Sequence, residues 1–333
     1  MRAIVIVLDG CGAGEAKDAG AYGDARSNTL ANTAKAVGGL SVPNLQNFGL
    51  GNIVAIAGVP PANPPLASFG SMEPASPGKD SVTGHWEMMG IVRSEAPRIH
   101  PDGFPAEFVA RLSQLTATEY LWNRPASGTE IIARLGKEHL TTRKPILYTS
   151  GDSVLQIAAH EVVIAVPSLY ALCEIARMLA GNEQLVDRVI ARPFAGPPGN
   201  FHRLNEKRRD FVVTPPGDCV LDSMKAAGFK TIGVGVVTRL FPCRCFTDLE
   251  EAHTNQESFD ATMRWMKADF DGLLFANLED FDMIYGHRND PQGFAEALAR
   301  FDAQLPALLG LVRPGDLFVI TADHGNDPTT PST

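Results

Sequence analysis

No stretch of apolar residues in this chain approaches the length of a membrane span, and the N-terminal Met1-Arg-Ala-Ile-Val run reaches Asp9 without the small-residue cleavage pattern of a secretory signal. Positive charge is in deficit. The 29 Lys and Arg face 38 Asp and Glu, a net charge of −9, which argues against a nucleic-acid partner but leaves room for phosphorylated small molecules held by local arginines. Cysteine is sparse and odd in number: Cys11, Cys173, Cys219, Cys243 and Cys245 follow no framework spacing, which excludes a disulfide scaffold and fits reduced thiols in a cytoplasmic protein. Cys243-Arg244-Cys245 is the close pair, half of a zinc site with no matching half in the sequence. Low-complexity segments and internal repeats are absent too. What remains is an ordinary globular balance, 44% hydrophobic and 20% charged over 333 residues, long enough for two domains and a well-buried core.

The informative segments are apolar runs that end in metal-type ligands. Ala3-Ile-Val-Ile-Val-Leu-Asp9-Gly10 reads as a buried parallel strand finishing on a carboxylate, with Gly10, Gly12 and Gly14 available for a sharp turn. The gap of G-x-G-x-x-G is missing there, which argues against a dinucleotide site. Gly272-Leu-Leu-Phe-Ala-Asn-Leu-Glu-Asp-Phe-Asp282 repeats the pattern and is followed by His287, and Leu317-Phe-Val-Ile-Thr-Ala-Asp323-His324 repeats it again. Taken singly, an Asp at a strand end can be a helix cap and an Asp-His pair can be structural. Three such ends, supplying Asp9, Asp282, His287, Asp323 and His324, point to divalent cations, and five ligands exceed what one open catalytic ion needs, so two metals are expected. The five-residue spacing from Asp282 to His287 does not share an α-helical face, so a loop or turn must bring the pair together.

Pattern changes divide the chain into a core segment 1–98, an inserted block 99–216 and a second core segment 217–333. The insert alternates short helices and strands, among them Ala106 to Leu115, Lys144 to Thr149, Val162 to Ala165, Ser168 to Ala180 and Arg188 to Arg192. The last segment reads as strand 231–237, a helix near Phe259 to Ala268, the strand to Leu278, a helix from Pro291 to Val312 with Asp290 as N-cap, and the final strand. The ligands flank the insert, so an α/β core with a mainly parallel sheet and flanking helices is assembled from both ends of the sequence, with an α/β cap between.

A nucleophile is offered by Gly78-Lys79-Asp80-Ser81-Val82-Thr83-Gly84, two hydroxyls at the start of a helix running through Met89, where the helix end favours anions and a nearby cation would acidify a hydroxyl. Chemistry alone does not separate Ser81 from Thr83. A plain Ser/Thr-capped helix start is the competing reading.

Together, Ile4-Val-Ile-Val-Leu-Asp9, Gly78 through Glu87, Tyr148 through Glu161, Arg188-Val-Ile-Ala-Arg-Pro-Phe194, Asp280 through Arg288 and Thr321-Ala-Asp-His-Gly-Asn-Asp327 resemble the phosphopentomutases, a family of the alkaline phosphatase superfamily, in order and across the whole chain. The resemblance implies an alkaline-phosphatase-like core with a mobile cap, a dimetal site usually filled by Mn²⁺, and interconversion of ribose or deoxyribose 1-phosphate with the 5-phosphate through a phosphorylated hydroxyl and a sugar bisphosphate, which also serves as activator. The family's nucleophile follows Lys-Asp, which makes it Ser81 here, where Thr is usual, with Thr83 second. One ion would be held by Asp9, Asp323, His324 and Ser81, and the other by Asp282 and His287. Ser150, Asp152 and Val154 match the family's sugar-phosphate motif, and Arg192, Arg203 and Arg208 supply phosphate donors.

The resemblance has departures. Val236 stands where the family has a phosphate-contacting Lys, and the family continues Asp-His-Thr-Arg just past the segment that is Thr329-Thr-Pro-Ser-Thr333 here. That His is a second-metal ligand, so the expectation is a chain that binds one metal tightly and the other weakly, is a poor mutase, and lacks a final strand and helices that would cover apolar surface. Two other functions compete: a metal-dependent sugar-phosphate phosphatase of the same superfamily, and a non-catalytic sugar-phosphate binder.

Overall fold

A computed structural model describes residues 1–330 except 97, 99, 150–153, 183–184, 216 and 242–244. The chain divides into two compact units, Met1–Ala96 with Pro215–Thr333, and Pro97–Thr214.

The first unit is built on a parallel sheet of β1 (Arg2–Leu8), β8 (Lys230–Val234), β9 (Asp248–Glu250), β10 (Gly272–Leu278) and β11 (Leu317–Thr321), ordered β11-β1-β10-β8-β9. Helices cover both faces of the two central strands, which is why these read as unbroken apolar runs; every residue of β10 is buried. Alternation sorts the side chains. Ile4, Ile6 and Leu8 of β1 and Leu274, Ala276 and Leu278 of β10 pack with Phe294, Leu298, Phe301 and Leu305 of helix Pro291–Leu309. The opposite face of β10 carries Phe275, whose ring meets His85 and Phe241, and Asn277. Helix Ser81–Met88 lies on that side, anchored by Trp86 Nε1, which donates to the Leu240 carbonyl at 2.9 Å. The run expected as strand 231–237 stops at Val234 because Gly235 turns the chain at φ +76°, a conformation open to glycine.

The second unit holds a mixed sheet of β2 (Leu121–Pro125), β3 (Ile146–Thr149), β4 (Val154–His160), β5 (Arg188–Ala195) and β6 (His202–Arg203), with β7 (Arg209–Val212) also paired to β5. Helices Ala106–Thr116, Gly128–Thr142 and Val166–Asn182 pack on it. The strand expected at Val162 to Ala165 is instead a turn. The strand is the preceding run, β4, buried throughout and paired on both sides, while Val162 is exposed and the amides of Val163 and Ile164 fold back onto the His160 carbonyl. No helix among the described residues is long and apolar enough to cross a membrane.

Candidate metal centre

Strand register brings the ligands together. Val7 of β1 pairs with Asn277 of β10 on one side and with Thr321 of β11 on the other. Two residues beyond each pair the strands give out at Asp9 and Asp323, so parallel pairing sets these carboxylates side by side at the carboxyl ends, where α/β sheets keep their sites. The Gly10 amide donates to Asp323 Oδ1 at 3.0 Å, sealing the junction. Asp282 comes from the segment after β10, where Phe281–Gly286 forms a π-helical turn. That turn is the device the Asp282 to His287 spacing required. Its i to i+5 pitch has the His287 amide donating to the Asp282 carbonyl at 2.9 Å and sets His287 Nε2 3.1 Å from Asp282 Oδ2.

The resulting cluster is small, buried and rich in negative charge. Ligand atoms of Asp9, Asp282 and His324 all lie within 4.8 Å of one another. His324 Nε2 is 3.4 Å from Asp9 Oδ1, 3.4 Å from Asp323 Oδ2 and 4.0 Å from Asp282 Oδ1. Burial, and then repulsion from Asp323 and Asp282, pushes Asp9 well above the usual carboxylate range. Burial acts on Asp282 and Asp323 in the same sense, but the imidazoles of His287 and His324 for the first, and of His324 and His85 for the second, outweigh it and hold both low. His324 shows the converse, its burial penalty overcome by the surrounding carboxylates, which raise it. Asp323 Oδ2 is buried, with only imidazole nitrogens near it, His85 Nδ1 at 3.3 Å and His324 Nε2 at 3.4 Å, and no well-aligned hydrogen bond among the described residues. A buried carboxylate oxygen so weakly satisfied, beside two more carboxylates and an imidazole, is a donor set suited to a divalent cation.

The hydroxyl next to this cluster is that of Ser81. Asp80 caps helix Ser81–Met88, accepting from the amides of Val82 at 2.9 Å and Thr83 at 3.0 Å, and so places Ser81 in the first turn. Ser81 Oγ donates to Asp9 Oδ1 at 3.3 Å and lies 3.4 Å from His324 Nε2. Thr83 is buried, and its Oγ1 has no partner among the described residues.

Of the residues expected to meet a sugar phosphate, Ser150 and Asp152 lie outside the described residues, and Val154 is the buried first residue of β4. Arg192 and Arg203 sit on β5 and β6. Arg192 Nε donates to Gln156 Oε1 at 2.9 Å, and burial followed by repulsion from Arg208 lowers its pKa to about 10. Arg203 Nε and the Tyr148 hydroxyl are buried with no hydrogen-bond partner among the described residues, and the Arg203 Nη2 end and the Tyr148 hydroxyl crowd Gly128 at the start of helix Gly128–Thr142. Arg208 is turned to Asp210, with Nε and Nη2 each 2.8 Å from a carboxylate oxygen.

A family model described as the metalloenzyme superfamily matches residues 1–333. Among curated relatives, the phosphopentomutase of Dictyoglomus turgidum is 51% identical over 332 residues, covering 100% of this chain and 84% of the relative. That of Carboxydothermus hydrogenoformans is 49% identical, with 100% and 85% covered, and that of Kosmotoga olearia 48%, with 100% and 86% covered. The chain belongs to the phosphopentomutase family. Its superfamily implies divalent metal binding, and the Asp9, Asp282 and His324 cluster fits that.

In this phosphopentomutase-family chain several side chains that pattern reading passes over hold the ligands in place. Asn277 Nδ2 donates to Asp9 Oδ2 at 2.9 Å and lies 2.9 Å from His85 Nε2. With that nitrogen accepting, His85 carries its proton on Nδ1, 2.7 Å from the Ser81 carbonyl. Asn326 Nδ2 donates to Asp282 Oδ1 at 2.6 Å. His85 lies inside a motif that was legible, but Asn277 is one polar letter in an apolar strand. The useful signal is the cost of burying an amide that no neighbour in sequence can satisfy.

Proposed function

We propose that this chain interconverts (deoxy)ribose 1-phosphate and (deoxy)ribose 5-phosphate through phosphorylated Ser81 and a sugar bisphosphate. The observation that carries the reading is the Ser81 hydroxyl, 3.3 Å from Asp9 Oδ1 in the first turn of a capped helix, in a chain 51% identical to a protein named phosphopentomutase. A pair of divalent cations, Mn²⁺ in this reading, supplies charge neutralisation for the transferring phosphoryl group and acidifies the hydroxyl. Asp9, Ser81, Asp323 and His324 would hold one ion, and Asp282 and His287 the other. Among the described residues the second set has two members, and the His287 side chain is 40% exposed, so we assign it the weaker binding.

In the reaction, phosphorylated Ser81 gives its phosphoryl group to the free 5-hydroxyl of the sugar 1-phosphate. The bond from phosphorus to Ser81 Oγ breaks as that to the sugar oxygen forms, and the sugar's proton is left to the serine. The 1,5-bisphosphate then returns its 1-phosphoryl group to Ser81 Oγ, leaving the 5-phosphate and the phosphorylated enzyme. Free bisphosphate is the activator that loads an unmodified Ser81. Asp80 fixes the start of the helix, His85 holds the Ser81 carbonyl, and Asn277 orients Asp9. Arg192 and Arg203 receive the sugar phosphate, supported by unpartnered Arg203 Nε and the Tyr148 hydroxyl, with Ser150, Asp152, Val154 and Arg208 completing the site. We place this chemistry in the cytoplasm, a reducing compartment that suits the free thiols of Cys11, Cys173, Cys219 and Cys245.

Ser81→Ala should lose phosphoryl labelling by radioactive bisphosphate and about 10³-fold or more of the mutase activity, while Ser81→Thr keeps both. Labelling that survives in Ser81→Ala would assign the nucleophile elsewhere. Val236, buried at 2% exposure where a lysine is expected, favours a second reading as a sugar-phosphate phosphatase. Release of inorganic phosphate without transfer between the 1- and 5-positions would identify it.

A further inference from the structure

Cys245 has a partner that spacing in the sequence hides. It meets Cys219 and Asp222, and one ligand atom from each of the three lies within 4.8 Å of the others. Cys219 is the N-cap of helix Val220–Ala226 and Asp222 sits in its first turn, while Cys245 stands just before the segment into β9. Both thiols donate to the one carboxylate, Cys219 Sγ to Oδ2 at 3.3 Å and Cys245 Sγ to Oδ1 at 3.5 Å. Cys219 is 4% exposed and Cys245 fully buried. The Cys245 carbonyl is pinned by the Thr231 hydroxyl at 2.9 Å, which sets the group by the amino end of β8, the opposite end of the sheet from the Asp9 cluster.

We propose that Cys219, Asp222 and Cys245 form a second metal site, for a thiophilic divalent cation such as Zn²⁺, that clamps helix Val220–Ala226 to the segment entering β9. A tetrahedral zinc with Zn–S near ~2.3 Å and Zn–O near ~2.1 Å separates sulfur from oxygen by about 3.6 Å; each thiol already stands at about that distance from one Asp222 oxygen, Cys219 from Oδ2 and Cys245 from Oδ1, so a small turn of the carboxylate presents one oxygen to both sulfurs. The exchange conserves charge. Two thiols and one carboxylate carry a single negative charge; on binding, the two S–H bonds break, two protons leave to solvent, and the dication with two thiolates and a carboxylate again carries one negative charge. In the free chain both thiols donate to the Asp222 carboxylate, so both protons are present until an ion displaces them. Thiolates select against Mn²⁺ and Mg²⁺, which keeps this site distinct in ion preference from the oxygen-rich cluster.

The test is a Cd²⁺ titration of the reduced chain held in excess Mn²⁺. The expected result is a thiolate-to-cadmium charge-transfer band that saturates at one ion per chain, with about two protons released per ion. Cys219→Ser and Cys245→Ser, with folding checked by circular dichroism, should each weaken the band at least tenfold in Cd²⁺ concentration. A titration of the native chain with no band and no proton release would overturn the proposal, as would a band retained in both variants. So would an intact mass showing Cys219 and Cys245 joined as a disulfide, which needs no ion to account for the pair.

Discussion

At the residue scale, Asp9, Asp282 and Asp323 are three carboxylates in one buried space, tolerable in the free chain because His324 and His287 stand against them. Their positions depend on residues with no chemistry of their own. Gly84 is such a residue: a Cβ there would collide with the Asp323 backbone carbonyl, and one on Gly12 would come within 2.7 Å of Gly325 Cα. Backbone cannot swing aside as a side-chain tip can. Gly84→Ala is therefore expected to displace Asp323 relative to Ser81 and to cut kcat about 10²-fold, with circular dichroism unchanged. Turnover at the parent rate would mean the helix and the loop after β11 have more slack than this packing implies. Asp9, Asp323 and His324 were readable because each closes an apolar run. Gly84 was visible as a motif letter, but the collision it avoids comes from a residue 239 positions away.

At the element scale, β11 is the edge of the parallel sheet among the described strands, and Asp323 hangs from it. What fastens it is a side-chain latch at its entry. Arg2 Nε donates to both Asp316 oxygens at 3.1 and 3.2 Å, and the rest of the guanidinium caps the carbonyls of Met266 and Leu311. The two side chains are 3% and 4% exposed. Arg2 first, and then the Arg313 amide, outweigh burial and hold Asp316 below its ordinary value. A depressed carboxylate stabilises the fold above its unfolded-state pKa, and that contribution is lost as pH falls toward the folded-state value. Asp316→Ala should thus cost about 3 kcal/mol near pH 7 in urea unfolding, and the gap to the parent should shrink as the pH drops below about 4. A gap independent of pH would show that the carboxylate's charge contributes nothing. The π-helical turn at Phe281–Gly286 makes a similar point about elements: its ligands were readable, but its pitch was not, because a five-residue spacing fits loops and turns alike.

For the whole molecule, ligands gathered from residues 9 to 324 make a bound cation a tie between the two ends of the chain. Removing divalent ions with a chelator should lower the melting temperature. Restoring Mn²⁺ to 100 times its Kd should return about 2.7 kcal/mol of stability. A melting temperature indifferent to Mn²⁺ would mean that the folded cluster holds no such ion. The division into Met1–Ala96 with Pro215–Thr333 and Pro97–Thr214 follows from the same topology, since the second unit is inserted between strands of one sheet.

By itself the sequence determined the kind of protein: parallel strands from unbroken apolar runs, a helix opening in the Gly78–Gly84 segment, and an oxygen-and-imidazole ligand set from strand ends. These are local properties, decided by side-chain periodicity and by hydrogen bonds between residues a few positions apart. Only the tertiary structure decided that Asp9 and Asp323 sit side by side, that Ser81 and not Thr83 faces them, that Asn277 and His85 hold them, and that Cys219 lies beside Cys245. Strand order and register set those meetings, and both arise from packing between segments hundreds of residues apart.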